Sequence, residues 1–188
     1  MTRIIAGRAG SITLEVPDAG TRPTSDRVRE SLFGALESVD ALQGSAVLDL
    51  YAGSGALGLE AVSRGAASVD LVEKAPRAAT VVERNASKVA KSVGRDVAIH
   101  VHRSAVSAFL GGPRGPYDLV FIDPPYDLGE GELTQALVLL SPSLAAGATV
   151  VVERAARSPR PTLPPGLDLS RDKKYGDTVL WWVRPSPA

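Results

Sequence analysis

The chain lacks cysteine altogether and has only two histidines, His100 and His102, among its 188 residues. Disulfides, thiolate metal ligands and thiol nucleophiles are therefore excluded, and the sequence predicts no zinc or iron centre. No stretch approaches the roughly 18 consecutive apolar residues that span a bilayer, and the first residues lack the apolar segment of a signal peptide. We therefore expect a cytoplasmic protein with neither a membrane nor a metal as partner.

The chain also lacks a net charge, because 21 basic and 21 acidic side chains cancel. Residues 153–188 nevertheless hold seven basic and four acidic side chains. Such a local excess permits a polyanion to approach one face of the protein. With 44% hydrophobic and 22% charged residues, the composition is that of an ordinary globular protein, and the length suits one domain with a full core.

Short apolar runs alternate with helix-like stretches from residue 46 onward, a pattern typical of a parallel sheet with crossover helices. Predicted strands cover 47–50, 68–72, 97–101, 119–122 and 148–152, predicted helices cover 56–64, 76–91, 104–110 and 130–140, and a closing β-pair is predicted at 168–172 and 178–183. Earlier in the chain, two runs at 3–7 and 12–16 predict a hairpin, and helical spacing predicts a helix near 25–38. We expect an amino-terminal extension over 1–40 and a main domain over 41–188.

A glycine-rich loop follows the first predicted strand of the main domain. Gly53, Gly55 and Gly58 have the spacing that lets a backbone approach a nucleotide at the start of a helix. Asp49 precedes this loop by four positions. Its carboxylate would repel a pyrophosphate but would suit a cationic ligand with an α-amino group and a sulfonium, as in S-adenosylmethionine. Alternatively, Asp49 caps the loop that follows.

Two further positions suit an adenosine ligand. Glu73 ends the next strand, 20 residues beyond Gly53, where an acidic residue of a nucleotide-binding unit accepts the ribose hydroxyls. The alternative is a solvated charge paired with Lys74. Ser104 and Ala105 follow the third strand, where such folds contact the adenine ring. Ser104 could also be the N-cap of the next helix, and we favour that assignment.

The motif Asp123-Pro124-Pro125-Tyr126 directly follows the apolar run 119–122. Asp123 can accept one N–H of an exocyclic amine, and the Pro124 carbonyl, held by two consecutive prolines, can accept the other. Tyr126 can stack on the base that carries the amine. In isolation the motif favours an ordinary turn, but its place after a buried strand and downstream of the glycine loop favours amine methylation.

In this order the motifs resemble the class I S-adenosylmethionine-dependent methyltransferases, and among them the amino-methylating group with Asp or Asn, two prolines and an aromatic residue. Segments 3–7, 21–33 and 174–178 resemble the RsmD family, which methylates N2 of one guanine in 16S ribosomal RNA. This resemblance covers essentially the whole chain. It implies a Rossmann-like α/β fold with a mostly parallel seven-stranded sheet in the order 3-2-1-4-5-7-6, helices on both faces, and a small amino-terminal hairpin and helix.

The resemblance also implies functional residues. Cofactor contacts are expected from Asp49, Ala52, Gly53, Gly55, Glu73, Ser104, Ala105 and Asp123, catalysis from Asp123, Pro124 and Tyr126, and contacts to base or RNA from Arg22, Pro23, Arg27, Arg29, Pro125, Tyr126, Lys174 and Tyr175. The implied partner is 16S rRNA within an assembling small ribosomal subunit. The arginines beside the proline loop could meet phosphates, or could form a solvated helix start with local acidic partners. Ser104 departs from the wider class, in which many relatives carry an acidic residue.

Other functions remain open at this point. A DNA or RNA methyltransferase acting on adenine N6 or cytosine N4 would use the same tetrapeptide, although the chain has no room for a separate domain that recognises a DNA target. An NAD-dependent oxidoreductase would use the glycine loop but needs a substrate domain. A non-catalytic RNA-binding module could retain the fold. Cytosine C5 methylation through a cysteine adduct is excluded.

Overall fold

The computed structural model describes residues 1–18 and 23–188. Its strands are β1 (Thr2–Arg3), β2 (Thr13–Leu14), β3 (Ala46–Leu50), β4 (Ser68–Glu73), β5 (Ala98–Arg103), β6 (Tyr117–Ile122), β7 (Leu144–Ala155), β8 (Leu167–Tyr175) and β9 (Thr178–Pro185). Its α-helices are α1 (Asp26–Ser38), α2 (Ala56–Ser63), α3 (Pro76–Val93), α4 (Val106–Leu110) and α5 (Glu130–Leu140), with a 3₁₀ turn at Ser141–Ser143. Each element of the main domain lies close to its predicted position.

Strands β3 to β9 form one seven-stranded sheet in the order β5-β4-β3-β6-β7-β9-β8. The first five strands in that order are parallel, and β9 runs antiparallel to both of its neighbours. Counted from β3, the order is 3-2-1-4-5-7-6, so the predicted Rossmann-like topology is confirmed. Strand β4 lies on one side of β3 and β6 lies on the other, so the direction of the strand order reverses at β3. In such folds, ligands bind at this switch point, outside the carboxyl ends of the strands.

Helices cover both faces of the sheet. One core unites α1, α2 and α3 with one face and includes Phe33, Leu59, Val82 and Phe121. A second core unites α4 and α5 with the opposite face and includes Phe109, Val120, Leu137 and Val150. The central strands are buried on both faces, which explains their nearly continuous apolar runs. Among the described residues, no helix is both long and apolar enough to cross a membrane.

The amino-terminal hairpin is shorter than predicted, since β1 and β2 pair over only two residues each. After β1 the chain is bound to α2 instead. The backbone N–H groups of Ile5 and Ala6 donate to the buried Glu60 carboxylate across 2.8 and 3.1 Å. Gly7, with φ +84°, passes so close to Ser63 that a Cβ would lie 2.0 Å from its carbonyl oxygen. These contacts take the place of the predicted hairpin pairs nearest the turn and anchor the segment to the main domain.

Candidate active site

A cavity of about 850 Å³ opens at the carboxyl edge of the sheet, around the switch point between β3 and β6. The predicted site residues that line it are Pro23, Arg29, Asp49, Ala52, Gly53, Glu73, Ser104, Ala105, Asp123, Pro124, Pro125 and Tyr126. Gly55, Arg27, Lys174 and Tyr175 lie outside its wall, and Arg22 falls outside the described residues. The structure thus brings the predicted cofactor and amine residues, with the exception of Gly55, into one cavity.

The glycine loop has the conformation that its residues allow. Gly53 and Gly55 have φ angles of +60° and +79°, which favour glycine, and Gly55 is the N-cap of α2. A Cβ on Gly58 would lie 2.6 Å from Leu71 and 2.9 Å from Val69. The first two glycines therefore shape the loop at the cavity, and the third allows α2 to pack directly on β4.

Asp49 is buried, with 1% of its surface exposed, at the floor of the cavity. Its Oδ2 accepts a hydrogen bond from the Gly58 N–H across 2.9 Å. Burial raises the pKa of Asp49 to about 8, and the nearby Glu73 charge adds to that shift while the Gly58 bond opposes it. Asp49 thus caps the first turn of α2 and also lines the cavity. A bound cation would favour its ionised form.

Glu73 ends β4 beside the glycine loop. Its Oε2 accepts a hydrogen bond from the Gly53 N–H and its Oε1 accepts one from the Ala75 N–H, each across 2.9 Å. Within the described part of the chain, Glu73 forms no ion pair with Lys74. The side chain is therefore held against the loop rather than paired in solvent.

Ser104 does not cap α4, so that prediction is wrong. The helix begins one residue later than capping requires, with Ala105 at the N-cap in an extended conformation and no side-chain bond. The Ser104 hydroxyl donates instead to the Ala105 carbonyl across 3.0 Å. Both residues line the cavity, as their predicted adenine contacts would require.

Asp123 and Glu153 follow Ile122 and Val152, which are register partners on β6 and β7. The Thr24 hydroxyl donates to Glu153 Oε2 across 2.8 Å and lies 3.4 Å from Asp123 Oδ2. Burial raises the pKa of Asp123 well above its usual range, and the charges of Glu153 and Asp49 raise it further. Burial also raises the pKa of Glu153, against the Thr24 bond. The two carboxyl groups therefore form one acidic pair in the cavity wall, and Thr24 contacts both.

Sequence reasoning missed Glu153 and Thr24. Glu153 follows the apolar residues 148–152 just as Asp123 follows 119–122. This similarity was the available signal, because neighbouring parallel strands end at the same edge of the sheet. Thr24 offered no comparable signal, since its role depends on tertiary contacts with Asp123 and Glu153, which are distant in the sequence.

Tyr126 lies at the mouth of the cavity with 59% of its surface exposed. The Leu128 N–H donates to the Pro125 carbonyl across 3.0 Å and closes the turn that carries the ring. An exposed ring on a proline-stiffened turn is free to stack on a planar ligand.

The residues predicted on the RNA side lie in different environments. Arg27 and Lys174 are exposed. Tyr175 packs against the core beside α1, and its hydroxyl lies 2.8 Å from that of Ser31. The structure corrects the prediction for Arg29, which is 1% exposed and donates to the Arg3 carbonyl and to Asp26 across 2.8 and 2.7 Å. It joins α1 to the amino-terminal segment and does not present its charge to a phosphate.

No group of three or more histidine or acidic side chains that could hold a metal ion occurs in residues 1–18 and 23–188. Four acidic residues of the cavity, Glu73, Asp49, Asp123 and Glu153, come from β4, β3, β6 and β7 and so lie in that order along the sheet edge.

The sheet order, the glycine loop and the acidic residues at the strand ends define a class I methyltransferase fold. A family model described as conserved hypothetical protein 95 matches residues 2–184. Ribosomal RNA small subunit methyltransferase D of Escherichia coli (strain K12) is 38% identical over 178 residues, covering 94% of this chain and 86% of the relative. The chain belongs to this RsmD family.

Solved structures agree with that assignment. A putative methyltransferase, yhhF, from Escherichia coli superimposes with a TM-score of 0.82 at 34% identity, covering 99% of this chain and 98% of the other. Magnesium protoporphyrin IX methyltransferase from Synechocystis PCC 6803, a structure with bound SAM, superimposes with a TM-score of 0.66 at 13% identity over 85% of this chain and 79% of the other. The second likeness concerns the fold alone.

Proposed function

We propose that the protein transfers a methyl group from S-adenosylmethionine to the exocyclic N2 of a guanine in 16S ribosomal RNA. The observation that carries the proposal is that Asp123-Pro124-Pro125-Tyr126 and the pair Asp49 and Glu73 line the same cavity. An amine-binding motif and a site for a cationic nucleoside thus share one wall.

The residues fit the cofactor on chemical grounds. Glu73 offers two carboxylate oxygens at the glycine loop, and each keeps its backbone N–H partner while a second lone pair remains to accept a ribose hydroxyl. The buried Asp49 stands at the cavity floor, where an ionised carboxylate offsets positive charge. Ser104 and Ala105 are placed to contact the adenine ring. When bound, the cofactor supplies an electrophilic methyl group on a positively charged sulfur.

The chain's own residues would orient the target amine. Asp123 accepts one N–H and the Pro124 carbonyl accepts the other, so both hydrogens are directed away from the methyl donor. This arrangement favours a tetrahedral nitrogen whose lone pair points at the methyl carbon. Tyr126 stacks on the extruded base, a contact typically worth about 1–3 kcal/mol. Catalysis then depends on positioning and electrostatics, without a covalent bond to the protein.

The proposed partner is 16S rRNA within an assembling small ribosomal subunit. The name of the Escherichia coli relative, ribosomal RNA small subunit methyltransferase D, supports the RNA part of this proposal. We further propose that residues 1–40 shape the side on which RNA binds. Thr24 supports this, because it belongs to that segment and reaches both carboxylates of the amine side. Arg27 and Lys174 supply exposed positive charge.

A methyl-transfer assay tests the proposal. Labelled S-adenosylmethionine is supplied with naked 16S rRNA, with partly assembled subunits from a strain that lacks the enzyme, or with duplex DNA, and the modified nucleosides are identified. N2-methylguanine in RNA is the expected product, and Asp123→Ala should reduce its formation at least about 100-fold, the usual loss when one preorganised polar group at the reacting atom is removed. N6-methyladenine or N4-methylcytosine would overturn the target assignment, and calorimetric binding of NAD without binding of S-adenosylmethionine would overturn the cofactor.

A further inference from the structure

Glu153 lies on the far side of Asp123 from the proposed cofactor residues. Asp49 and Glu73 belong to β3 and β4, on one side of β6, whereas Glu153 belongs to β7, on the other side. All four carboxylates line one cavity. The cofactor is therefore expected on the side of Asp49 and Glu73, and Glu153 lies on the opposite side of Asp123. The target base must lie on that side, beyond the transferred methyl group.

The Glu153 side chain is held in place rather than free. Thr24 Oγ1 donates to one of its oxygens, Oε2, across 2.8 Å. The same hydroxyl lies 3.4 Å from Asp123 Oδ2, so one residue fixes the spacing of the two carboxylates. The described residues provide no cationic partner for Glu153 within 4 Å, and Oε1 takes part in no hydrogen bond within residues 1–18 and 23–188. This leaves an acceptor available beside the one that Asp123 presents.

Two adjacent acceptors match the hydrogen-bonding edge of guanine but not that of adenine or cytosine. In guanine, the exocyclic amine stands next to the ring N1–H, so donor follows donor. In adenine the amine stands next to N1, and in cytosine next to N3, both of which are acceptors. A carboxylate beside the amine site would therefore attract the guanine edge and repel the lone pair of adenine or cytosine.

We propose that Glu153, positioned by Thr24, accepts the N1–H of the target guanine while Asp123 accepts its amine, and that this pair of carboxylates selects guanine. The inference rests on the proposed function and identifies the residue that determines its base specificity. The N1–H also brings partial positive charge toward two carboxylates that repel each other when both are ionised. Binding the correct base thus relieves an unfavourable contact that a wrong base would leave in place.

The test compares guanine with 2-aminopurine at the target position of the RNA. 2-Aminopurine keeps the amine at C2 but has an acceptor at N1. Wild-type protein should methylate it at least about 10-fold less efficiently than guanine, the loss expected when a hydrogen bond to a charged group is missing. Glu153→Gln should lower kcat/KM for guanine by a similar factor while reducing the preference for guanine over 2-aminopurine at least about 10-fold, because its amide can donate to N1.

Two further variants separate recognition from folding. Glu153→Asp keeps the charge but shortens the reach, so it should lower the guanine rate without improving the 2-aminopurine rate. Glu132→Gln removes another exposed carboxylate at the rim of the cavity and should keep the wild-type preference. Melting temperatures of all variants establish that they are folded.

The inference is overturned if Glu153→Gln lowers both rates by the same factor, since that pattern belongs to a purely structural residue. Equal wild-type rates for the two bases would overturn it as well, without the need for any variant. Formation of N2-methylguanine by the wild-type protein is a separate result, so the proposed function stands or falls independently of the preference ratio.

Discussion

Glu73 and Gly53 are joined by a 2.9 Å hydrogen bond from the glycine N–H to carboxylate Oε2, so the residue proposed to bind the ribose also holds the glycine loop. The second oxygen, Oε1, accepts from the Ala75 N–H at the start of α3. One carboxylate therefore connects the ends of two strands at the point where the nucleoside is expected. Ligand binding and loop geometry depend on the same side chain.

Glu73→Ala should weaken the binding of S-adenosylmethionine by about 10- to 100-fold, the range expected for lost hydrogen bonds to a charged group. The free energy of unfolding should change little, because water can satisfy the released N–H groups at this partly exposed site. Calorimetric titration and thermal melting measure the two quantities. Glu83→Ala, on the exposed face of α3, is the matched control and should leave both unchanged. Wild-type affinity in Glu73→Ala would refute the ribose assignment.

Asp49→Asn should stabilise the free protein at alkaline pH. The pKa of Asp49 is about 8 in the folded protein against 3.8 for an ordinary aspartate, so the folded state binds its proton more tightly than the unfolded state. The stability that comes from this tighter proton binding is fully present below about pH 4 and is lost as the pH rises to about 8. Asparagine cannot ionise and still offers an oxygen to the Gly58 N–H, so the variant should gain on the order of a few kcal/mol at pH 9 relative to pH 4.

Thermal or urea melts of the two proteins between pH 4 and pH 9 provide the measurement. The informative quantity is the difference in the free energy of unfolding between the wild type and Asp49→Asn. Asp123 and Glu153 also have raised pKa values, so both proteins lose stability at these residues as the pH rises. Binding of S-adenosylmethionine should become weaker in Asp49→Asn. In the wild type near pH 7, binding should release a proton, detectable by calorimetry in buffers of different ionisation enthalpy. A pH-independent difference in stability would contradict the buried, protonated Asp49.

Much of the site was predictable from sequence because parallel strands repeat one rule. Each buried apolar run ends at the same edge of the sheet, so Asp49, Glu73 and Asp123 could be assigned to one cavity before their distances were known. The same rule applied to Glu153, but the strand β7 runs three residues beyond the predicted end and its glutamate lacks a surrounding motif. The sequence pattern did not show that β6 and β7 are neighbours, so it did not show that Asp123 and Glu153 lie next to each other.

Arg29 and Ser104 show where local pattern fails. The position of Arg29 in the first turn of α1 fitted a solvated charge, yet helix packing turns it toward the Arg3 carbonyl and the buried Glu60. Ser104 had the residue type of an N-cap, yet the chain begins α4 one position later. For Arg29, tertiary contacts determine the role, and no spacing within the sequence encodes them.

Tyr126→Ala should reduce the binding or turnover of RNA by about 1–3 kcal/mol, equivalent to about 5- to 150-fold, through loss of stacking on the target base. Tyr126→Phe keeps the ring and should retain nearly full activity. Because 59% of the side chain is exposed, neither change should lower the melting temperature appreciably. Kinetics with saturating cofactor and varied RNA test this, and an equal loss in the phenylalanine variant would point to the hydroxyl instead of the ring.

Asn85→Ala should lower the free energy of unfolding and remove a hydrogen bond that holds the glycine loop in place. The amide of Asn85 is fully buried on α3. Its Oδ1 accepts from the Glu15 N–H across 2.9 Å, and its Nδ2 donates to the carbonyls of Glu15 and Ser54 across 2.9 and 2.8 Å. Alanine leaves three backbone groups without partners, so we expect a loss of about 2–4 kcal/mol in the free energy of unfolding.

The contrast with Lys88→Ala shows whether this effect is specific. Lys88 lies on the same helix and pairs with the Glu15 carboxylate across 2.9 Å, but both side chains are more than 40% exposed. A surface ion pair contributes about 0–1 kcal/mol, so Lys88→Ala should scarcely change urea denaturation. Only Asn85→Ala should also lower cofactor affinity, because only Asn85 reaches Ser54 in the glycine loop. Equal destabilisation by the two variants would show that the amino-terminal segment is held by charge rather than by the buried amide.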